Sequence, residues 1–187
     1  MSQEPFRIII CGEGGQGALS AAEIIARSAH AQGKVALAMP FFSTEKRGGV
    51  SMAFAQIGDR PIPYPKFGKA DLWVALSQRS VGRIAAWLAP ETKVIVNSFL
   101  VKDVSALEGH EVHAIDAVRI ANEEVKSPRT FNMVIMGAMA ALIPGLDRGA
   151  FTAALARHFA DKYRLRPELQ AQNERAFEIG YGLAQKG

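Results

Sequence analysis

Ile8-Ile9-Ile10-Cys11-Gly12-Glu13-Gly14-Gly15-Gln16-Gly17-Ala18 decides how this chain folds. Its continuous apolar start predicts a strand, Arg7 to Cys11, buried on both faces. The segment from Ala18 to Gln32 carries apolar residues at helical spacing and stops at Gly33. Strand, glycine turn and helix, in that order, build an anion pocket. Glycines permit the tight turn and bring backbone N–H groups close to a phosphate, and the helix N-terminus adds partial positive charge.

Outward from this unit, Val35 to Met39 is a second short apolar run, so the strand–helix–strand order predicts two adjacent parallel strands. Val50 to Ile57 is a third strand. Three alternating prolines in Asp59-Arg60-Pro61-Ile62-Pro63-Tyr64-Pro65 then break regular structure. Leu72 to Leu76 and Val94 to Val96 read as strands separated by a helical pattern from Arg79 to Leu88, and Glu111 to Ile115 as a weaker last strand. From Ala117 the pattern is helical: Ala117 to Val125, Phe131 to Leu142, Gly149 to Tyr163 and Pro167 to Ala184. The expectation is a single domain over residues 1–187. Its fold class is α/β, a Rossmann-like three-layer sandwich around a mostly parallel sheet with a helical C-terminal third.

Composition narrows the function classes. Of 187 residues, 49% are hydrophobic and 21% charged, ordinary for a globular chain. No apolar run approaches the ~20 residues that span a bilayer. Met1-Ser2-Gln3-Glu4-Pro5 lacks the features of a signal peptide, so a cytoplasmic protein without membrane contact is expected. The net charge of +4 is spread along the chain, which favours anionic ligands or acidic partners over a nucleic-acid patch. Lys46-Arg47 and the segment Lys162 to Arg166 are the basic blocks. The single cysteine, Cys11, excludes an intrachain disulfide and a self-contained iron–sulfur cluster, and reads as a small buried apolar residue.

Gly12, Gly14 and Gly17 satisfy G-x-G-x-x-G, yet the second strand region, Val35-Ala36-Leu37-Ala38-Met39-Pro40, has no carboxylate for a ribose 2′-hydroxyl. That argues against a nicotinamide cofactor and leaves a phosphate site or a turn that packs helix on strand. Glu45-Lys46-Arg47-Gly48-Gly49 follows the second strand, where Arg47 offers a planar fork for phosphate or carboxylate and Gly48-Gly49 permits close approach. It reads either as a binding or docking surface shared with the first loop or as a charged turn. G-x-S-x-G is missing, and the four histidines lack a companion set of acids or cysteines, so neither a catalytic residue nor a metal site is expected. Met133, Met136 and Met139 form a core or subunit-facing stripe. Asn97 and Asn132 read as residues that end or hydrogen-bond local turns, or that meet a ligand.

Together, Gly12-Glu13-Gly14-Gly15-Gln16-Gly17, Glu45-Lys46-Arg47-Gly48-Gly49, Phe131-Asn132-Met133 with Gly137-Ala138, and Asn173-Glu174-Arg175-Ala176-Phe177-Glu178-Ile179-Gly180 resemble the gamma subunit of the 2-oxoacid:ferredoxin oxidoreductases. Members often carry Tyr-Gly-Pro ahead of Arg-Gly-Gly, where this chain has Phe42-Ser43-Thr44.

The resemblance implies a multi-subunit enzyme that oxidatively decarboxylates a 2-oxoacid to an acyl-coenzyme A. Thiamine diphosphate and iron–sulfur clusters would sit on partner chains, namely thiamine-diphosphate-binding alpha and beta subunits and a ferredoxin-like subunit. This chain would contact coenzyme A and close the active site. Gly12, Gly14, Gly15, Gln16 and Gly17 would meet phosphate, with Arg47, Gly48 and Gly49 at the same mouth. Two other readings stay open at this point: a purely structural subunit without a ligand, and a free-standing nucleotide-binding protein.

Overall fold

A computed structural model of the chain describes residues 4–41, 49–83 and 86–186. The first strand, β1 (Phe6–Glu13), is the centre of a six-stranded sheet with β2 (Val35–Phe41), β3 (Val50–Gly58), β4 (Leu72–Ala75), β5 (Lys93–Asn97) and β6 (Val112–Ile115), in the order β2-β3-β1-β4-β5-β6. The pairings of β1 with β4, β4 with β5 and β5 with β6 are parallel, and β3 runs antiparallel to both of its neighbours.

The expected adjacency of the first two strands is therefore wrong. They run in the same direction, but β3 lies between them. The connection from Phe41 to Val50 is too short for a parallel crossover, so β3 turns back along β2 as a hairpin and takes the slot beside β1. Pro40 sits in the edge strand β2, where its missing N–H is tolerated.

The apolar run of β1 splits by parity. Ile8 and Ile10 point into a core built with the long helices, whereas Ile9 and Cys11 point to the opposite face. The helical face carries α1 (Ala18–Ala31), α4 (Phe131–Leu142), α5 (Arg148–His158) and α7 (Glu168–Ala184). The other face is covered by α2 (Gln78–Val81), by the segment around Trp87 and Leu88, by residues from Val101 to Leu107, and by Phe67. Met133, Met136 and Met139 are all buried in the helical core, as their spacing indicates.

Three helical expectations need correction. Among the described residues, the pattern from Arg79 to Leu88 gives a helix only over Gln78–Val81. Beyond it, the Trp87 carbonyl accepts the Ala70 N–H at 2.9 Å and the Leu88 carbonyl accepts Lys69 Nζ at 2.6 Å, so this backbone is bonded to the approach to β4 instead. The segment from Ala117 starts as α3 (Ala117–Arg119) and widens into π turns over Ile120–Glu124. The stretch from Gly149 to Tyr163 divides into α5 and α6 (Ala160–Leu165) at Phe159, whose φ and ψ of −103° and 11° leave the helical range.

Among the described residues, no helix is long and apolar enough to cross a membrane.

Candidate functional site at the carboxyl edge of the sheet

The strand order reverses between β1 and β4, which opens a crevice at their carboxyl ends, the usual ligand position in such sheets. The glycine loop lies there. The Leu76 N–H donates to the Cys11 carbonyl at 2.8 Å and ties the end of β4 to the base of the loop. Gln16 folds back on its own turn, its Oε1 accepting the Glu13 N–H at 2.6 Å while its N–H donates to the Glu13 carbonyl at 3.1 Å. A Cβ on Gly12 would stand 2.7 Å from Gln16 Oε1 and 3.0 Å from Leu76 Cβ, so Gly12 is glycine to make room for that fold-back. Gly12 and Gln16 thus shape the loop from within.

Gly15 and Gly17 have φ of 90° and 85°, the left-handed region that glycine enters freely. As the N-cap of α1, Gly17 brings no side chain to the helix end. Gly14 differs from these. Its φ is not positive and a Cβ there would meet nothing within 4 Å, so the chain's own packing leaves open space in front of it.

Asn132, in the first turn of α4, forms the opposite wall. Its Nδ2 lies 3.3 Å from where a Cβ on Gly17 would be, and its Oδ1 is buried without a hydrogen-bond partner. Asn132 also lines an open cavity of about 410 Å³ together with Arg129, Met133, Phe159, Lys162, Tyr163, Leu165, Arg166, Leu169 and Asn173. Three cations and no carboxylate face this space. Its apolar side includes Leu165, which is 81% exposed, and Phe159, whose ring has Lys162 Nζ 5.2 Å above its centre. Asn173 Nδ2 donates to the Tyr163 hydroxyl at 2.8 Å, and burial raises the tyrosine's pKa.

The register of β3 against β1 sets Val50 opposite Glu13 and Ser51 opposite Gly12, which brings Gly49 beside the glycine loop. Arg47 and Gly48, with the rest of residues 42–48, lie outside the described residues. Among the described residues, the end of β2 carries no carboxylate, and β3 separates β2 from β1.

Sequence reasoning missed the cavity. Its basic block Lys162 to Arg166 and the Asn132 and Asn173 motifs were visible, but nothing marked Arg129 as their neighbour. Of the two residues read as turn asparagines, Asn97 does end β5 at a turn, its carbonyl accepting the Leu100 and Val101 N–H groups at 2.9 Å, whereas the Asn132 side chain bonds no local turn. Asn97, fully buried at the end of β5, leaves both side-chain atoms unpaired. Nearby, Gln78 was overlooked. Its Oε1 accepts the Lys102 and Asp103 N–H groups at 2.7 and 2.9 Å, and its Nε2 donates to the Asp103 carbonyl at 2.9 Å, clamping the loop after β5.

Cys11 is fully buried in β1. Burial pushes its thiol up to about 11, against smaller opposing effects of a Ser80 hydrogen bond and Arg83. With no other cysteine in the chain, an iron–sulfur cluster does not fit this chain.

A sheet with this order and a glycine loop at its switch point defines an α/β fold of the doubly wound kind, and comparisons make it specific. The pyruvate ferredoxin/flavodoxin oxidoreductase family model matches residues 7–183, so the chain belongs to that family, with relatives of the gamma-subunit type. It is 38% identical over 133 residues to pyruvate synthase subunit PorC of Methanothermobacter marburgensis, covering 69% of this chain and 72% of that one. It is 36% identical over 137 residues to the pyruvate/ketoisovalerate oxidoreductases common subunit gamma of Pyrococcus furiosus, covering 69% of this chain and 73% of that one. The crystal structure of the keto/oxoacid ferredoxin oxidoreductase gamma subunit of Geobacter sulfurreducens superposes with a TM-score of 0.82 at 26% identity, covering 97% of this chain and 99% of that one.

Proposed function

We propose that residues 1–187 act as one gamma-type domain of a cytoplasmic 2-oxoacid:ferredoxin oxidoreductase and hold coenzyme A at the mouth of an active site completed by other chains. One observation carries this reading. Asn132, whose Nδ2 lies 3.3 Å from where a Cβ on Gly17 would be, also lines a 410 Å³ cavity with Arg129, Lys162 and Arg166 and no acid. Coenzyme A presents a diphosphate and a separate 3′-phosphate on a nucleoside with an apolar face. Backbone N–H groups around Gly14, Gly15 and Gly17 suit one phosphate, helped by the α1 terminus. The three cations suit another through charge-assisted bonds, while Phe159, Leu165 and Leu169 suit the base. Gly12 and Gln16 keep the turn in shape, and Arg47, Gly48 and Gly49 are assigned to the same mouth.

This chain would contribute positioning of the acyl acceptor and exclusion of water, with no acid, base or nucleophile of its own. Thiamine diphosphate and the iron–sulfur clusters are assigned to thiamine-diphosphate-binding alpha and beta subunits and a ferredoxin-like subunit. A relative named as common to pyruvate and ketoisovalerate oxidoreductases supports placing the choice of oxoacid on those partners.

Calorimetric titration of coenzyme A into the assembled complex tests the reading. Arg129→Ala and Arg166→Ala are each expected to weaken binding about tenfold or more, the loss of a charge-assisted hydrogen bond. Unchanged affinity with weakened assembly would establish the structural-subunit reading instead.

A further inference from the structure

The loop between β3 and β4 is built in an unusual way. Tyr64 is 75% exposed, the most exposed aromatic side chain among the described residues. The backbone that carries it is fastened at the tyrosine and beyond it. Gln56, itself 3% exposed, donates from Nε2 to the Tyr64 carbonyl at 2.6 Å. Phe67 packs edge-on against Phe54 with ring centres 5.2 Å apart, and Lys69 Nζ donates to the Leu88 carbonyl at 2.6 Å. Pro61, Pro63 and Pro65 restrict φ around the tyrosine.

An aromatic ring on a backbone already ordered loses little freedom when it enters a partner, and tyrosine is among the residues that dominate interface energies. Apart from Asp59, the charges of the loop itself have one sign. Arg60 and Lys66 are exposed, and the loop's only acid, Asp59, is engaged by Lys34 at 3.0 Å. Two copies of this chain related by a two-fold axis would bring these cations together, which disfavours self-association through the loop.

We propose that Tyr64 is an anchor inserted into an apolar pocket with an acidic rim on another chain of the complex, so that the loop from Asp59 to Lys69 is a docking surface. This rests on the subunit reading above and adds a docking loop to it, whose Lys66 Nζ stands 5.7 Å over the ring of Phe41 at the end of β2.

The test is titration of the full chain against the remaining subunits of its complex, purified together and then separated from it, with coenzyme A binding measured independently. Tyr64→Ala is expected to weaken association at least tenfold while leaving the melting temperature and the circular dichroism unchanged. Tyr64→Phe is expected to retain most of the affinity. Arg60→Glu with Lys66→Glu is expected to slow association, with a deficit that shrinks as salt rises. Association of Tyr64→Ala within twofold of the parent chain overturns the proposal while leaving the subunit reading intact. Tyr64-dependent self-association, or Tyr64-dependent binding to vesicles containing anionic lipid, also overturns it. A chain that joins no oxoacid oxidoreductase subunits at all overturns both readings.

Discussion

Gly137 of α4 and Gly180 of α7 make one helix crossing together. A Cβ on Gly137 would fall 2.0 Å from the Phe177 carbonyl oxygen, and one on Gly180 would fall 1.8 Å from the Val134 carbonyl oxygen. The two backbones touch because neither residue has a side chain, and the obstructing atoms are main chain, which has no rotamer to yield. This contact sets α7 against α4 and so fixes Asn173 and Leu169 across the cavity from Asn132 and Met133.

Gly180→Ala is accordingly expected to lower stability by about 3 kcal/mol or more, at the upper end of what overpacking costs. Gly182, two residues on in the same helix, provides the control, since a Cβ there meets nothing within 4 Å. Gly182→Ala is expected to raise stability by up to about 1 kcal/mol through helix propensity. Denaturant melts of both variants check the pair.

Gly14→Ala separates binding from folding. Its Cβ would enter open space at an unstrained φ, so stability is expected to stay within about 0.5 kcal/mol of the parent. Coenzyme A affinity of the complex is expected to fall, because the added methyl occupies the space assigned to phosphate. Gly12→Ala should behave in the opposite way, costing stability as it displaces Gln16 and Leu76. Parallel calorimetry and melting curves read both effects.

Gln78→Ala removes three hydrogen bonds to the backbone of residues 102–103. A loss of about 1–3 kcal/mol is expected, with faster amide hydrogen exchange confined to the loop after β5. Uniform acceleration across the sheet would contradict a local clamp.

Cys11 gives a pH dependence with a defined sign. Its ordinary thiol value of 9.0 applies when unfolded and about 11 when folded. The stabilising contribution is complete below the unfolded value and is lost as pH rises through the folded one, because the unfolded thiol ionises first. Between pH 9 and 11 the parent chain is expected to lose stability more steeply than Cys11→Ala. A thiol reagent at neutral pH is expected to label Cys11 only at the rate of unfolding. Rapid labelling of the native chain would refute that burial.

Much of the fold was readable because the signals were local. The triple isoleucine of β1, the capless glycine entry to α1 and the methionine spacing of α4 each depend on neighbours a few residues apart. The place of β3 was not, since its pairing with β1 follows from competition between a short hairpin connection and a longer crossover. The helical pattern at Arg79 to Leu88 lost to hydrogen bonds with Lys69 and Ala70, distant in sequence. For the site, the glycines were legible by composition. The cavity was not, because Arg129, Lys162 and Asn173 meet only through the α4–α7 crossing.

The insertion of β3 has a further consequence for how the chain reaches its native state. β2 and β3 form a hairpin locally, and β4, β5 and β6 follow one another in sequence and in the sheet, but β1 pairs with β3 on one side and β4 on the other. It has no partner adjacent in sequence. Its pairings have the longest loop closures among these strands, and contacts of that kind form slowly. The strand that bears the glycine turn therefore joins the two halves of the sheet, and the turn takes its shape only when both are in place. Under the coenzyme A reading proposed above, a partly folded chain would offer no complete mouth, so ligand capture would double as a check that the sheet is complete.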